Sequence, residues 1–239
     1  MFDHLLVNGD SYSASGAIPS YSIFLGQSLN LPVTNLARPG SSNDRILRST
    51  LEEVINLKKQ NKNPLVIIGW SFIRRLEVWY YGTNKDVFSR IPDIDITGPD
   101  YQQSRFITLD ALIKLNEATL EQKCLIQDDL FIHKHLTDFY TNLYLFAHTL
   151  DSLNVKWFMF SAAKNVESKI NCFPYIESLE HVKWCQQQSN IYKLHDFCIL
   201  DWANENDPYC NSVTGHLSKS GHEKFTKELL NWLRSNKIV

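Results

Sequence analysis

Short apolar runs alternate along this chain with segments whose apolar residues recur at helical spacing. Leu5-Leu6-Val7 ends a first strand read over Asp3–Val7, and Ser20 to Leu29 reads as a helix carrying Ile23, Phe24 and Leu29. A short second strand follows over Pro32–Leu36. From Asn43 to Lys59, the apolar positions Ile46, Leu47, Leu51, Val54, Ile55 and Leu57 fit one helix face. Ser42 or Asn43 can cap that helix, Asp44 sits in its positive first turn, and Lys58 and Lys59 complement its negative end.

Beyond Asn63-Pro64, the run Leu65-Val66-Ile67-Ile68 is apolar throughout, as in a strand buried on both faces of a parallel sheet. Val155–Phe160 is a second such run, preceded by a helix over Asp128–Leu150, and Phe197–Leu200 is a weaker third. A final helix over Ser220–Ser235 presents Phe225, Leu229, Leu230 and Leu233. Strands separated by helices predict a parallel sheet with right-handed crossovers. Two stretches exceed that minimal unit, at about 78–125 and 162–195, the second with a short helix around Ile176–Gln187. Both follow the carboxyl ends of expected strands, where insertions become site walls or lids. No repeat, low-complexity tract or linker divides the chain, so residues 1–239 read as a single domain.

Composition narrows the function classes. A net charge of −2 gives no electrostatic case for nucleic acid or an anionic membrane surface. No stretch is long and apolar enough to span a bilayer. Met1-Phe2-Asp3-His4 leads directly into a strand, without the basic and apolar segments of an export signal, so a cytoplasmic location is expected. Five cysteines, widely spaced and never in a C-x-x-C pair, argue for free thiols rather than disulfides or a zinc cluster. His133 and His135, with Asp128, Asp129 and Asp138, fall on different faces of a helix and match no standard metal spacing, so no metal or organic cofactor is expected.

Candidate chemistry begins at Gly9-Asp10-Ser11, directly after the first strand. In an open α/β sheet, ligands bind at the carboxyl ends of the strands. Ser11 there is either a nucleophile or a capping serine in an ordinary turn. At the other end of the chain, Gly215-His216-Leu217-Ser218-Lys219-Ser220-Gly221-His222 places an imidazole just before the last helix. With the central block Gly69-Trp70-Ser71 and the glycine of Arg38-Pro39-Gly40, these segments resemble the SGNH (GDSL-type) hydrolase superfamily, in a divergent, phage-like branch. The resemblance covers the core strands and four separated blocks, not the two insertions. It implies a flavodoxin-like three-layer α/β/α sandwich around a central parallel sheet of about five strands. It also implies Ser11 as nucleophile, His216 as general base, and the Gly40 N–H as an oxyanion donor. The phage-like branch adds virion association as an alternative location.

Other positions are open. Asn43 could aim its amide at the oxyanion or only cap its helix. Ser71 stands where the family has an oxyanion asparagine, and its hydroxyl reaches less far than a carboxamide. Trp70 and Arg75 are candidates for substrate binding. Arg75, one turn after Ser71, either holds an anionic or polyhydroxylated substrate or stands in a structural ion pair, Arg75–Glu77 or one centred on Arg74. Trp79-Tyr80-Tyr81 either stacks on sugar rings or forms the insertion's own small core. His222 is expected to pack structurally. The family's acid is missing from its usual place, where Val213 and Thr214 stand. Asp207, ahead of Asp201 and Glu205 on the same expected loop, is the candidate to orient His216, with a serine–histidine dyad as the alternative.

The expected activity is hydrolysis of a small acyl ester, such as an acetyl group on a carbohydrate, by a Ser11 acyl-enzyme. Two rivals stand beside it: a non-catalytic carbohydrate- or partner-binding protein, and an acyltransferase using the same acyl-enzyme.

Overall fold

The computed structural model describes residues 1–16, 18–73, 75, 77–79, 106–108, 129–162, 174–192, 197–210 and 216–239. Their strands are β1 (His4–Asn8), β2 (Val33–Asn35), β3 (Pro64–Trp70), β4 (Glu77–Trp79), β5 (Phe106–Thr108), β6 (Lys156–Ser161) and β7 (Ile191–Tyr192). Their helices are α1 (Tyr21–Leu29), α2 (Asn43–Lys59), α3 (Asp129–Ser152), α4 (Pro174–Ser178), α5 (Glu180–Gln187), α6 (Ile199–Asn206) and α7 (Lys219–Ser235).

Five strands form one parallel sheet in the order β2-β1-β3-β6-β7. The alternation of strand residues divides the core in two. Leu6, Val66, Ile68, Trp157 and Met159 face the side covered by α2, α3 and α5. Leu5, Val7, Leu65, Ile67, Phe158 and Phe160 face α1, α6 and α7. The chain is therefore a three-layer α/β/α sandwich of the flavodoxin-like type. Its order reverses between β1 and β3, the switch point at which such sheets open a crevice.

The main elements match the apolar pattern, and α2 has the expected bounds, with the Ser42 hydroxyl accepting from the Arg45 N–H at 3.0 Å. One strand does not. Phe197–Leu200 is not sheet: Cys198 Sγ accepts from the Asp201 N–H and opens helix α6. Ile199, Trp202 and Ala203 recur at helical spacing and bury one face, which outweighs the local strand-like run. The fifth strand is instead Ile191–Tyr192, paired with Met159 and Phe160. Two residues carry no periodic signal, so β7 was hidden within the stretch 162–195. That stretch also holds α4 and α5, and α5 packs against α3. In the other stretch, β4 and β5 pair antiparallel, and most of the remainder lies outside the described residues.

Among the described residues no helix is long and apolar enough to cross a membrane. Cys185, Cys198 and Cys210 are free thiols, and burial raises the first two, to about 12 and about 11.

Candidate active site

Gly9 leaves β1 at the switch point between β1 and β3. The space there is tight: a Cβ on Gly9 would lie 2.5 Å from Ser13 Oγ and 2.9 Å from the Gly69 carbonyl oxygen. The chain then curls into a single turn, in which the Ser13 and Ala14 N–H groups both donate to the Asp10 carbonyl at 3.0 Å. Ser11 is the first residue of that turn, where an N–H has no partner within the turn itself. Among the described residues neither the Ser11 N–H nor its Oγ makes a hydrogen bond. The side chain is half-buried.

Gly40 lies in the loop after β2, at φ 76°, a left-handed conformation that an L side chain adopts only at a cost. Its N–H also makes no hydrogen bond among the described residues. The loop is pinned beside the Ser11 turn by the Arg38 N–H, which donates to the Gly9 carbonyl at 3.2 Å. The fold thus brings two unengaged backbone donors to one edge of the sheet.

His216 arrives at the same edge from the far end of the sequence. Its ring stacks on Tyr12, the residue after Ser11, with centroids 4.9 Å apart and planes inclined by 28°. Tyr12 is itself buried, and its phenol is pushed up to about 12 by that burial, with the Asp10 carboxylate adding to the effect.

Asp207 does not meet His216 as expected. Its carboxylate accepts from the Ser218 N–H at 2.7 Å, the Ser218 hydroxyl at 2.8 Å and the Tyr209 N–H at 3.1 Å, and none of its hydrogen bonds goes to the imidazole. Ser218 in turn caps α7 by accepting from the Gly221 N–H at 3.1 Å. Asp207 is therefore buried in the joint that starts the last helix, and a full set of donors fixes it there.

Ser71 and Asn43 also have other occupations. The Ser71 hydroxyl donates to Asp10 Oδ2 at 3.0 Å, so its single proton is not available to a substrate. Asn43 neither caps α2 nor turns freely toward the site. Its Oδ1 accepts from the Ser71 N–H at 2.8 Å and its Nδ2 donates to the Ser71 carbonyl at 3.2 Å, clamping α2 to the end of β3. Arg75 belongs to an ion pair, but with a partner the sequence did not indicate: its Nη1 donates to Asp10 Oδ2 at 2.9 Å and to Ser71 Oγ at 2.8 Å. The guanidinium also covers the Phe72 ring at 4.7 Å. Trp70 is 2 % exposed and packs edge-on against Phe139 and Phe146, yet also walls a cavity beside Arg75.

Asp10 is the residue whose importance the sequence understated. It is wholly buried, and its other oxygen accepts from the Tyr12 N–H at 3.1 Å. Burial pushes its carboxyl above the ordinary range, while Arg75, Tyr12 and Ser71 pull it back. Beneath the turn lies a polar cluster that was likewise not foreseen. Asn35 donates to the Ser13 carbonyl at 2.9 Å and to Ser22 Oγ at 3.0 Å, and the Tyr21 hydroxyl donates to Ser13 Oγ at 3.0 Å. The density of serines between Ser11 and Ser22 was the available signal. His222 is structural: its Nδ1 accepts from the Tyr21 N–H at 3.2 Å, which leaves the ring proton on Nε2. Burial lowers its pKa to about 4.

Tyr80, Tyr81 and the Val213-Thr214 segment lie outside the described residues, as does Asp128. No protein-family model matches the chain. A comparison with curated proteins finds no match either.

Proposed function

We propose that this chain is a serine hydrolase acting on esters of a small acyl group, with Ser11 as nucleophile and His216 as general base. The reading is carried by the state of Ser11, whose hydroxyl and N–H are both unengaged at the β1/β3 switch point, beside the imidazole stacked on Tyr12. A structural serine in a capped turn would have its oxygen in use.

In this reading His216 takes the Ser11 proton as Oγ bonds to the ester carbonyl carbon. The N–H groups of Ser11 and Gly40 hold the developing oxyanion. As the tetrahedral adduct collapses, the bond to the alcohol oxygen breaks and His216 returns the proton to the leaving alcohol. Water, deprotonated by the same imidazole, then bonds to the acyl carbon; as the bond to Ser11 Oγ breaks, His216 returns the proton to Oγ and the acid leaves. The Tyr12 ring sets the plane of the imidazole. Asp207 acts at a distance, by holding the start of α7 and so the segment from which His216 projects, which makes the pair a dyad.

The engagement of Ser71 and Asp207 elsewhere favours one rival, a non-catalytic binding protein that keeps the fold. Turnover of p-nitrophenyl acetate by the protein and by Ser11→Ala separates the two, together with fluorophosphonate labelling. The hydrolase reading expects stoichiometric labelling at Ser11 and turnover lost in the variant. Equal turnover by both proteins, or no labelling, would overturn it. Acylated product on addition of sugar acceptors would point to the transferase instead.

A further inference from the structure

Tyr12 and His216 come from opposite ends of the chain, and each is held independently of the other. Tyr12 follows Ser11 in the tight turn, and its N–H donates to Asp10 Oδ1 at 3.1 Å. His216 precedes Leu217, which is buried in the same apolar cluster as Tyr12, and Ser218, whose N–H donates to Asp207 at 2.7 Å. Between those anchors the two rings lie face to face, with centroids 4.9 Å apart and planes 28° from parallel. At that separation a cation over an aromatic face is attracted by the ring's negative quadrupole.

The charge of this stacked pair changes during the proposed reaction. A neutral imidazole gains little from the quadrupole, whereas the imidazolium formed when His216 takes the Ser11 proton is drawn to it. An interaction that strengthens in this way lowers a barrier; one equal in both states does not. In a triad the aspartate balances the imidazolium, but here the Asp207 carboxylate is bonded to Ser218 and Tyr209.

The surroundings suit the Tyr12 ring to that role. Burial pushes its phenol up to about 12, with Asp10 adding to the effect, so the ring stays neutral at physiological pH. The Cys198 thiol, which interacts with the phenol, is raised by its own burial to about 11 and carries no charge. Arg75 opposes the effect of Asp10 on the phenol and is paired with that carboxylate at 2.9 Å. Water screens such attractions, and Tyr12 is only 5 % exposed to it.

We propose that the face of Tyr12 stabilises the imidazolium on His216, which makes Tyr12 a positioning residue of the Ser11–His216 pair as well as a packing residue. The inference rests on the hydrolase reading and adds to it a partner for the charge on the base.

The test places phenylalanine carrying no, one, two or three ring fluorines at position 12 of the full chain. Fluorine withdraws electron density from the ring face while scarcely changing its shape. The kcat/KM for p-nitrophenyl acetate should fall stepwise, by about tenfold from Tyr12→Phe to the trifluoro ring, at an unchanged unfolding midpoint. Tyr12→Phe itself should stay within about threefold of the parent. Tyr12→Leu, which fills the space without an aromatic face, should lose at least about tenfold. Packing alone would not produce a decline that follows the fluorine count. A flat series, a decline that tracks the unfolding midpoint, or equal rates for Tyr12→Phe and Tyr12→Leu would overturn the proposal. Ser11→Ala, measured beside them, keeps the two readings apart. Turnover that survives it removes the hydrolase reading and this inference with it; a flat series in a protein whose turnover needs Ser11 removes the role of Tyr12 alone.

Discussion

Asp10 and Arg75 meet at 2.9 Å across the gap between the ends of β1 and β3, one wholly buried and the other 19 % exposed. The Asp10 carboxylate also receives the Tyr12 N–H, so the pair ties the Ser11 turn to the segment leaving β3. Its strength lies less in its own attraction than in what its loss would leave behind, an uncompensated buried carboxylate.

Arg75→Met should therefore destabilise the protein by about 3 kcal/mol at neutral pH, measured by urea unfolding. The loss should depend on pH. Burial already raises the folded Asp10 carboxyl above its unfolded value, so the native state holds that proton longer, and stability falls as pH rises through the interval. Without Arg75 the interval widens. The gap between variant and parent should be small at about pH 4 and grow toward pH 8. A gap that is constant with pH would show that Asp10 does not feel the guanidinium.

His222 gives the opposite slope. Its folded pKa, about 4, lies below the ordinary 6.5, so between those values the unfolded chain binds more protons. The stability it contributes is complete above about pH 6.5 and is lost as pH falls to about 4. This amounts to about 3 kcal/mol for a group that is 6 % exposed. Urea midpoints should fall over this range in the parent and much less in His222→Gln. Equal slopes would place the acid sensitivity elsewhere.

Asp207 separates a dyad from a triad. A carboxylate bonded to the catalytic imidazole loses about 10⁴ in kcat on conversion to the amide. The structure places Asp207 on Ser218 and Tyr209 instead, so Asp207→Asn should lose less than about tenfold in kcat. Asp207→Ala should lose about 2 kcal/mol of stability, because Ser218 and Tyr209 are left without their acceptor. Hydrolysis rates and thermal unfolding of the two variants check this.

Gly221 belongs to the same joint. A Cβ there would lie 2.0 Å from Asp207 Oδ2 and 2.6 Å from its Cγ, and the carboxylate has no slack with three donors around it. Gly221→Ala should lower stability by about 2–3 kcal/mol, as overpacking does. Gly40→Ala is the contrasting case, with open space around the new Cβ and a cost set only by φ 76°. Its stability loss should be about 1–2 kcal/mol. Its kcat should fall at least tenfold as the N–H turns from the oxyanion, since one such donor is worth about 10²–10³. Unchanged kcat would remove Gly40 from the site.

What the sequence determined alone was local. The spacing of Ile46, Leu47, Leu51 and Val54 specifies α2 whatever surrounds it, and the apolar run Leu65–Ile68 can only be a buried strand once its neighbours are helices. The order of those elements also places Ser11, Gly40 and Ser71 after strands that share one sheet edge. The Phe197–Leu200 run was ambiguous because four apolar residues fit either period, and two-residue β7 had no period at all. Partner choice was decided only by tertiary packing. Asp10 meets Ser71 across 61 residues, and Tyr21 meets His222 across 201. The Asp207 carboxylate goes to a helix start rather than to an imidazole, and the Trp70 indole lies between core and cavity. A hydrogen bond is settled within a few tenths of an ångström, by whichever donor the packed layers bring nearest. No residue's identity or spacing along the chain carries that distance.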